Sequence, residues 1–391
     1  MSATLAACRP PSSGIGDLKL APNDSYQVAK TDVAGGVVYW RMYSEADTQR
    51  LHVVVADLED PYLMLDAETS NDSLLGFERT SEIFERLQAG GENPIVAINA
   101  DFWHRDGAPV GMFVDDGQIW RGPWYGTDDR SGLTRSVFAF NSDNHVAIGL
   151  PEYRLSLSSP NGEAVEITDV NLSETGGRAR VFTDRYPLHV PMSDGWSLIS
   201  FSSDGESWIP NVPAHLEYRG ALEKGRSISP GELVVAVPDS VASDLSSHPA
   251  GPFTLTAQLD NLVGPVDGVL GGLPRLIDRS ADSIVVDPVR FAAEEGIRAD
   301  FVTARHPRTA VGYDEDRAWL FMVVVDGRSE SAAGIDLNTL AGWLRDWGCD
   351  VALNFDGGGS TTMVIRGTVV NSPSDSVGER PVSNVLLLRE R

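Results

Sequence analysis

Apolar residues fall mostly in short runs cut by Gly, Pro, Asn and Asp. The runs "GGVVYWRMYS", "RLHVVVADL", "NPIVAINADFW", "VGMFVDDGQIW", "RSVFAFNSDNHVAIG", "GELVVAV", "PFTLTAQL" and "RTAVGYDEDRAWLFMVVVDGR" predict strands. Apolar residues recur at helical spacing in two segments, "SLLGFERTSEIFERLQAGG" and "DLNTLAGWLRDWGCD", the second with Asp336 or Asn338 available as a cap. Each predicted helix runs directly into an apolar strand. The pattern therefore predicts an α+β fold, β-rich, with mixed sheets and few helices.

One segment concentrates candidate chemistry. In "DVALNFDGGGSTTMVIRGTVV", residues 350 to 370, the strand Val351 to Phe355 ends at Asp356, and Gly357, Gly358 and Gly359 follow. Glycines here permit positive φ or close approach to a ligand. Asp356 thus either caps its own turn or faces a ligand. A second strand follows, folded at an Arg-Gly turn.

The N-x-D strand end occurs twice. "IVAINADFW" at residues 95 to 103 aligns with "DVALNFDGG" at 350 to 358, setting Asn99 against Asn354 and Asp101 against Asp356. "GAPVGMFVDDGQ" with "TRSVFAFNSDNHVAIG" likewise aligns with "GGLPRLIDRS" and "PRTAVGYDEDRAWLF", setting Arg135 against Arg308. Read as a duplication, this predicts two similar halves around a central cleft, with both strand ends and both arginines beside it.

Composition narrows the partners. With 31 Lys+Arg against 56 Asp+Glu, the net charge of −25 argues against nucleic acid or an anionic membrane as a partner. Any phosphate site must be a local basic pocket. The 391 residues, 42% apolar with 38 Gly and 23 Pro, suit a loop-rich globule with a sizeable core. Cys8 and Cys349 make neither a disulfide framework nor a zinc site. Cys349 reads as a buried apolar residue. "LAAC" at residues 5 to 8 looks like a bacterial lipobox, although no charged or apolar signal region precedes it. No stretch approaches the roughly 18 apolar residues of a membrane-spanning helix. The expected organisation is a flexible tether over residues 1–25 and one catalytic domain over 26–391. The expected location is secreted or attached to a bacterial envelope, with membrane contact only through a lipid on Cys8.

Longer motifs carry a resemblance. "HPRTAVGYDEDRAWLFMVVVDGR", "LNFDGGGSTTMVIRGTVVNSPSD" and "ERPVSNVLLL", in this order and spacing, resemble the phosphodiester glycosidase family. "GVLGGLPRLIDRS", "RSISPGELVVAV" and "AINADFW" extend the likeness over roughly residues 40 to 391. The last block departs from the family: Ala100, Asp101 and Trp103 stand where it has Gly, Gly and Phe. Asp101 therefore takes its candidate role from the internal repeat alone.

The resemblance implies a hydrolase that breaks the anomeric C–O bond between a sugar and a phosphate esterified to another group. The substrate would be a sugar-1-phosphodiester or a related glycan of the cell envelope or an exopolysaccharide. Such chemistry needs a carboxylate near the anomeric carbon, a base for water and donors for the phosphate. Asp356 is the first candidate for the carboxylate and Asp101 for its pair. Asn99 and Asn354 would orient Asp356 or bind sugar hydroxyls. Arg308 would grip the phosphate bidentately or pair with Asp326. His306 would bind phosphate or shuttle a proton. Backbone N–H groups from Gly357 and Gly358 to Ser360 would form an anion nest, with hydroxyls of Ser360 and Thr361 adding donors. Glu379, after a loop long enough to fold over the cleft, is a candidate second acid/base, and Arg380 a candidate ligand for substrate. Asp326 and Arg328 in "VDGR" also suit a turn. Trp103, Trp120, Trp124 and Tyr125 either stack on sugar or pack the core.

No metal ligand and no cofactor is assigned. The acidic turns "DDGQ", "TDDRSG" and "YDEDR" could take Ca2+ but lack EF-hand spacing. A Ser-His-Asp elbow, P-loop and Rossmann fingerprint are all absent. Two other functions compete: a glycosidase acting on a non-phosphorylated glycan, and a non-catalytic carbohydrate-binding envelope protein.

Overall fold

In the Trp319–Val325 strand, Leu320, Met322 and Val324 enter one core while Phe321, Val323 and Val325 enter another. This period-two division recurs in the neighbouring strands and sets the layering. The computed structural model describes residues 14–123, 135–172, 179–191, 194–203, 208–223, 225–247, 251–260, 264–279 and 283–391.

Two sheets lie face to face. The first runs Gln27–Ala34, Val37–Ser44, Gln49–Asp57, Trp319–Val325, Arg308–Asp314, Val351–Asn354, Arg275–Arg279, Ile284–Val285. The second runs Thr368–Val369, Met363–Ile365, Pro94–Asn99, Asn384–Glu390, Leu63–Thr69. Between them Val54, Ile98, Val311, Leu353 and Leu386 pack as one core. The helix Leu337–Trp347 covers the other side of the first sheet through Leu340 and Leu344. Asp336 caps it, accepting from the Thr339 N–H at 3.0 Å, and Gly348 ends it at a φ of 106°. The helix Thr80–Ala89 covers the second sheet through Ile83, Phe84 and Leu87. The order is helix, sheet, sheet, helix.

Two further sheets share a separate core. One joins Gln118–Arg121, Phe113–Asp115, Gly268–Gly272, Ser136–Phe140 and Val146–Gly149, and the other is an eight-stranded sheet built between Tyr153 and Leu259. Val114, Val137, Val269, Leu157, Val235 and Leu255 pack together between them. Pairing is antiparallel throughout the described strands except between Asp169–Val170 and Arg180–Phe182. The fold is α+β and strand-rich, as the periodicity predicts. The helices Asp239–Ser247, Pro288–Glu294 and Ala299–Thr303 escape that pattern because they are too short to display a stripe.

Two expectations need correction. Within the expected tether, Ile15 and Leu20 are buried against the first sheet, and the Leu20 carbonyl accepts from Trp347 Nε1 at 3.0 Å. Residues 14–25 are therefore docked; Cys8 lies outside the described residues. The sheets also do not repeat: Pro94–Asn99 lies between Met363–Ile365 and Asn384–Glu390, whereas Val351–Asn354 lies between Arg308–Asp314 and Arg275–Arg279. Similar segments occupy dissimilar sheet positions, so the halves are not structural copies.

Candidate active site

The ends of the Pro94–Asn99 and Val351–Asn354 strands nevertheless meet. Asn99 is fully buried, its Nδ2 donating to the Asp356 carbonyl at 2.7 Å. Its Oδ1 accepts from the Thr309 hydroxyl at 2.7 Å and the Thr362 N–H at 3.0 Å. The Asp356 N–H donates to the Ala100 carbonyl at 2.8 Å. Of its two expected roles, Asn99 fits the orienting one, since a buried carboxamide cannot reach a sugar. Asn354 is corrected likewise: it is buried and donates to the carbonyls of Leu273 and Phe355, at 2.7 and 2.8 Å.

Beyond this junction Asp356 stays partly exposed. Burial pushes its carboxyl up to about 6, against the lowering pull of the Ser360 hydroxyl, the Gly357 N–H, Arg380 and Arg328. The glycines explain how the arginines come so near. A Cβ on Gly357 would lie 2.7 Å from the Pro307 carbonyl oxygen, and one on Gly358, at a φ of 65°, would lie 2.8 Å from an Arg328 Nη. On Gly359 it would overlap the Arg380 guanidinium. Two guanidinium groups thus lie against a bare backbone turn. Arg328 is exposed and has no hydrogen-bond or carboxylate partner among the described residues, while Arg380 holds Asp375 Oδ2 through Nε at 2.7 Å.

The expected anion nest is not formed. The Gly357 N–H donates to Asp356 Oδ1 at 2.9 Å, that of Gly358 to the Pro307 carbonyl at 2.9 Å, and that of Ser360 to the Gly357 carbonyl at 3.3 Å. Ser360 and Thr361 are buried under the turn. Arginine side chains, rather than backbone, present positive charge here.

Asp101 occupies a slot between glycines, where a Cβ on Gly271 or Gly111 would meet its Oδ2 at 2.5 or 2.9 Å. It is 1% exposed; Oδ2 accepts from the Gly111 N–H at 2.7 Å, and Oδ1 makes no hydrogen bond. Burial pushes it up to about 7, with Asp356 adding to the rise and Arg135 opposing it. Asp101 therefore lies within electrostatic reach of Asp356 but beneath the surface.

Several candidates are corrected by their partners. Arg308 is 1% exposed; Nη2 donates to the carbonyls of Phe301 and Ala304 at 2.6 and 2.9 Å, and the guanidinium lies 4.8 Å from the Phe301 ring centre. Its fork holds the helix Ala299–Thr303, not phosphate and not Asp326. Asp326 is buried, accepting from Asn371 Nδ2 at 3.2 Å and the Ser372 N–H at 2.9 Å. Glu379 accepts from the N–H and hydroxyl of Ser81 at 2.8 and 2.7 Å, and so caps the first turn of Thr80–Ala89 rather than serving as an acid/base. His306 is partly exposed, and burial with Arg308 and Arg328 holds its imidazole below the usual range. Neutral near pH 7, it would not add charge for phosphate.

Trp103 is partly exposed and meets Phe77 edge to face at 4.9 Å. Phe77 leads to Arg79, whose Nε donates to the Glu379 carbonyl next to Arg380, at 3.2 Å. The aromatic pair is thus linked through Arg79 to the segment that carries Arg380. Trp120 is core, buried under Arg185. Trp124, Tyr125 and the "TDDRSG" turn lie outside the described residues. Of the other acidic turns, Asp314 pairs with Arg317, while carboxylate oxygens of Asp115 and Asp116 converge with one of Asp66 within 4.8 Å.

Sequence reading missed Arg328 as a ligand candidate. The signal was an arginine at the positive-φ position of a Gly-containing turn, at φ 61°.

The sequence profile of the family described as phosphodiester glycosidase matches residues 211–389. Over 103 residues the chain is 37% identical to N-acetylglucosamine-1-phosphodiester alpha-N-acetylglucosaminidase of Mus musculus, covering 25% of this chain and 20% of that protein. The match thus spans about a fifth of its relative's length. A hypothetical protein from Synechocystis superposes with a TM-score of 0.69 at 19% identity, over 94% of this chain and 64% of its own. A Burkholderia pseudomallei protein described as exported gives 0.65 at 16% identity, over 98% and 99%. At these identities both likenesses are of fold.

Proposed function

We propose that the protein hydrolyses a sugar-1-phosphodiester at its anomeric C–O bond, a reading that the match of residues 211–389 to the phosphodiester glycosidase profile supports. The observation that carries this reading is a partly exposed carboxylate, Asp356, flanked by the guanidinium groups of Arg328 and Arg380 on a glycine turn. A phosphodiester needs this combination: cations for its phosphate, and one anion for the positive charge that develops at the anomeric carbon.

Water oxygen bonds to that carbon and releases one proton to solvent, the bond to the bridging oxygen breaks, and its electron pair leaves with the phosphate. The products are the free sugar and a phosphomonoester. A departing phosphomonoester is a weak base and needs little protonation. Glu379, held at a helix start, is therefore not required as an acid. Asp356, ionised above about pH 6, stabilises the charge at carbon. Arg328 and Arg380 hold the phosphate, while Trp103 and Phe77 offer rings to the sugar. Asp101 acts on Asp356 through its field rather than by contact. The proposed place of action is outside the cytoplasm, secreted or envelope-attached.

Purified protein should be offered one sugar in two forms, as a phosphodiester and as an aryl glycoside. Faster release from the phosphodiester, with free sugar and phosphomonoester seen by NMR, is the expected result. Preference for the aryl glycoside would make the protein an ordinary glycosidase. Binding of either without turnover would leave a carbohydrate-binding function.

A further inference from the structure

Where the second sheet ends at Thr368–Val369, the inner face of the first sheet continues past it and is left partly uncovered. The opening is a cavity of about 540 Å³ whose walls include Arg41, Tyr43, Arg50, His52, Asp326 and Ser372. Its floor is a buried polar chain: Tyr39 Oη lies 2.7 Å from His52 Nδ1, and His52 Nε2 lies 3.4 Å from Asp326 Oδ2. His52 and Asp326 are 4% and 2% exposed, and Asp326 Oδ2 completes no hydrogen bond. Arg50 lies over the Tyr43 ring at 5.3 Å with its buried Nε unpartnered. Neither Arg41 nor Arg50 has a carboxylate partner among the described residues.

These features make a built polar site rather than a packing gap. An unpartnered buried donor is costly, and a ligand acceptor would relieve it. The carboxylate of Asp326 already meets Asn371, Ser372 and His52, so the two free arginines set the sign of the opening. It suits an anion, with Tyr43 offering a ring beside it.

The cavity also adjoins the proposed catalytic turn. Asp326 in its wall is two residues from Arg328, which lies against Gly358. Ser372 in its wall is two residues from Ser374, whose hydroxyl donates to the Gly358 carbonyl at 3.1 Å. Two residues span at most about 7 Å, which places the cavity roughly one phosphate or sugar unit from the turn. Resting on the phosphodiester reading above, we propose that this cavity is a second anion-binding subsite, seating a negatively charged group on the leaving-group side of the substrate.

Two diesters of the same sugar-1-phosphate test this, one with a methyl leaving group and one ending in glycerol phosphate. In Arg41→Ser and Arg50→Gln, KM for the glycerol phosphate diester should rise about tenfold relative to the methyl diester, with kcat within about twofold. An equal change for both diesters, or none for either, overturns the proposal. A direct readout separates its failure from that of the catalytic reading. Glycerol 3-phosphate should bind the wild type and Asp356→Asn alike by calorimetry, and bind Arg41→Ser and Arg50→Gln about tenfold more weakly. Retained binding in both arginine variants, or no binding to the wild type, sinks the subsite whether or not either diester is cleaved. Arg41 is exposed, so its replacement does not threaten the fold.

Discussion

Asn99 and Asp356, 257 positions apart, are joined by one hydrogen bond of 2.7 Å from a buried carboxamide to a backbone carbonyl. The same carboxamide fixes Thr309 and Thr362. One side chain therefore sets the position of the proposed catalytic turn relative to three strands.

Asn99→Asp should place an oxygen against the Asp356 carbonyl and break this junction. The expected loss is about 1–3 kcal/mol of stability, with a drop in kcat larger than any rise in KM. Chemical denaturation and steady-state kinetics measure both. Unchanged kcat in a folded variant would leave Asn99 a packing residue only.

The carboxylates of buried Asp101 and partly exposed Asp356 set a pH dependence of stability. Asp356 is raised to about 6 and Asp101 to about 7, so each binds its proton more tightly folded than unfolded. Stability should be greatest below about pH 4 as far as these groups decide it, and fall as pH rises through 6 and 7. Asp356→Asn should then be stabilised relative to wild type at pH 7.5, a gain that fades towards pH 4, while turnover falls about a hundredfold or more. Melting curves across this range, with kinetics at pH 7.5, test both. A destabilised but active Asp356→Asn would reduce the residue to a turn former.

Gly359→Ala isolates the arginine contact. The position needs no left-handed backbone, so the added methyl acts mainly by displacing Arg380. Phosphodiester kcat/KM should fall about tenfold with little change in unfolding. An unaffected rate would remove Arg380 from the site.

Arg328 and Arg308 should separate cleanly under the same substitution. Arg328→Lys loses the planar fork and should raise KM for phosphodiesters with stability unchanged, whereas Arg308→Lys should cost about 1–3 kcal/mol of stability through its carbonyl contacts. Kinetics and thermal melts on the pair decide this. A reversed pattern would return phosphate binding to Arg308.

Strands, the two longer helices and the Asp336 cap are legible because their signals are local. Asp356 stands out for the same reason, a carboxylate between an apolar run and three glycines, and it does cap its own turn, accepting from the Gly357 N–H at 2.9 Å. Partners distant in sequence are not legible. Ser81, which engages Glu379, lies 298 positions away, and nothing around "GER" indicates it. Arg308 reads as a phosphate ligand because its segment carries the family resemblance. What buries it is Ala299–Thr303, a helix too short to leave a periodic trace. The repeat shows the remaining limit: similar segments share strand ends and turns, but pairing is chosen by surfaces elsewhere in the chain.

The Asn384–Glu390 strand lies inside the second sheet, between Pro94–Asn99 and Leu63–Thr69, and Asn384 Oδ1 accepts from the Asp101 N–H at 2.9 Å. During synthesis, then, the Leu63–Thr69 strand lacks its partner in this sheet until residues 384–390 have emerged from the ribosome, whereas Pro94–Asn99 can already pair with Met363–Ile365. A nascent chain short of that point lacks an inner strand of the sheet and the Asn384 contact to the Asp101 N–H. The turn at Asp356 is translated before the strand that completes its surroundings, so acquisition of the proposed activity waits on residues 384–390.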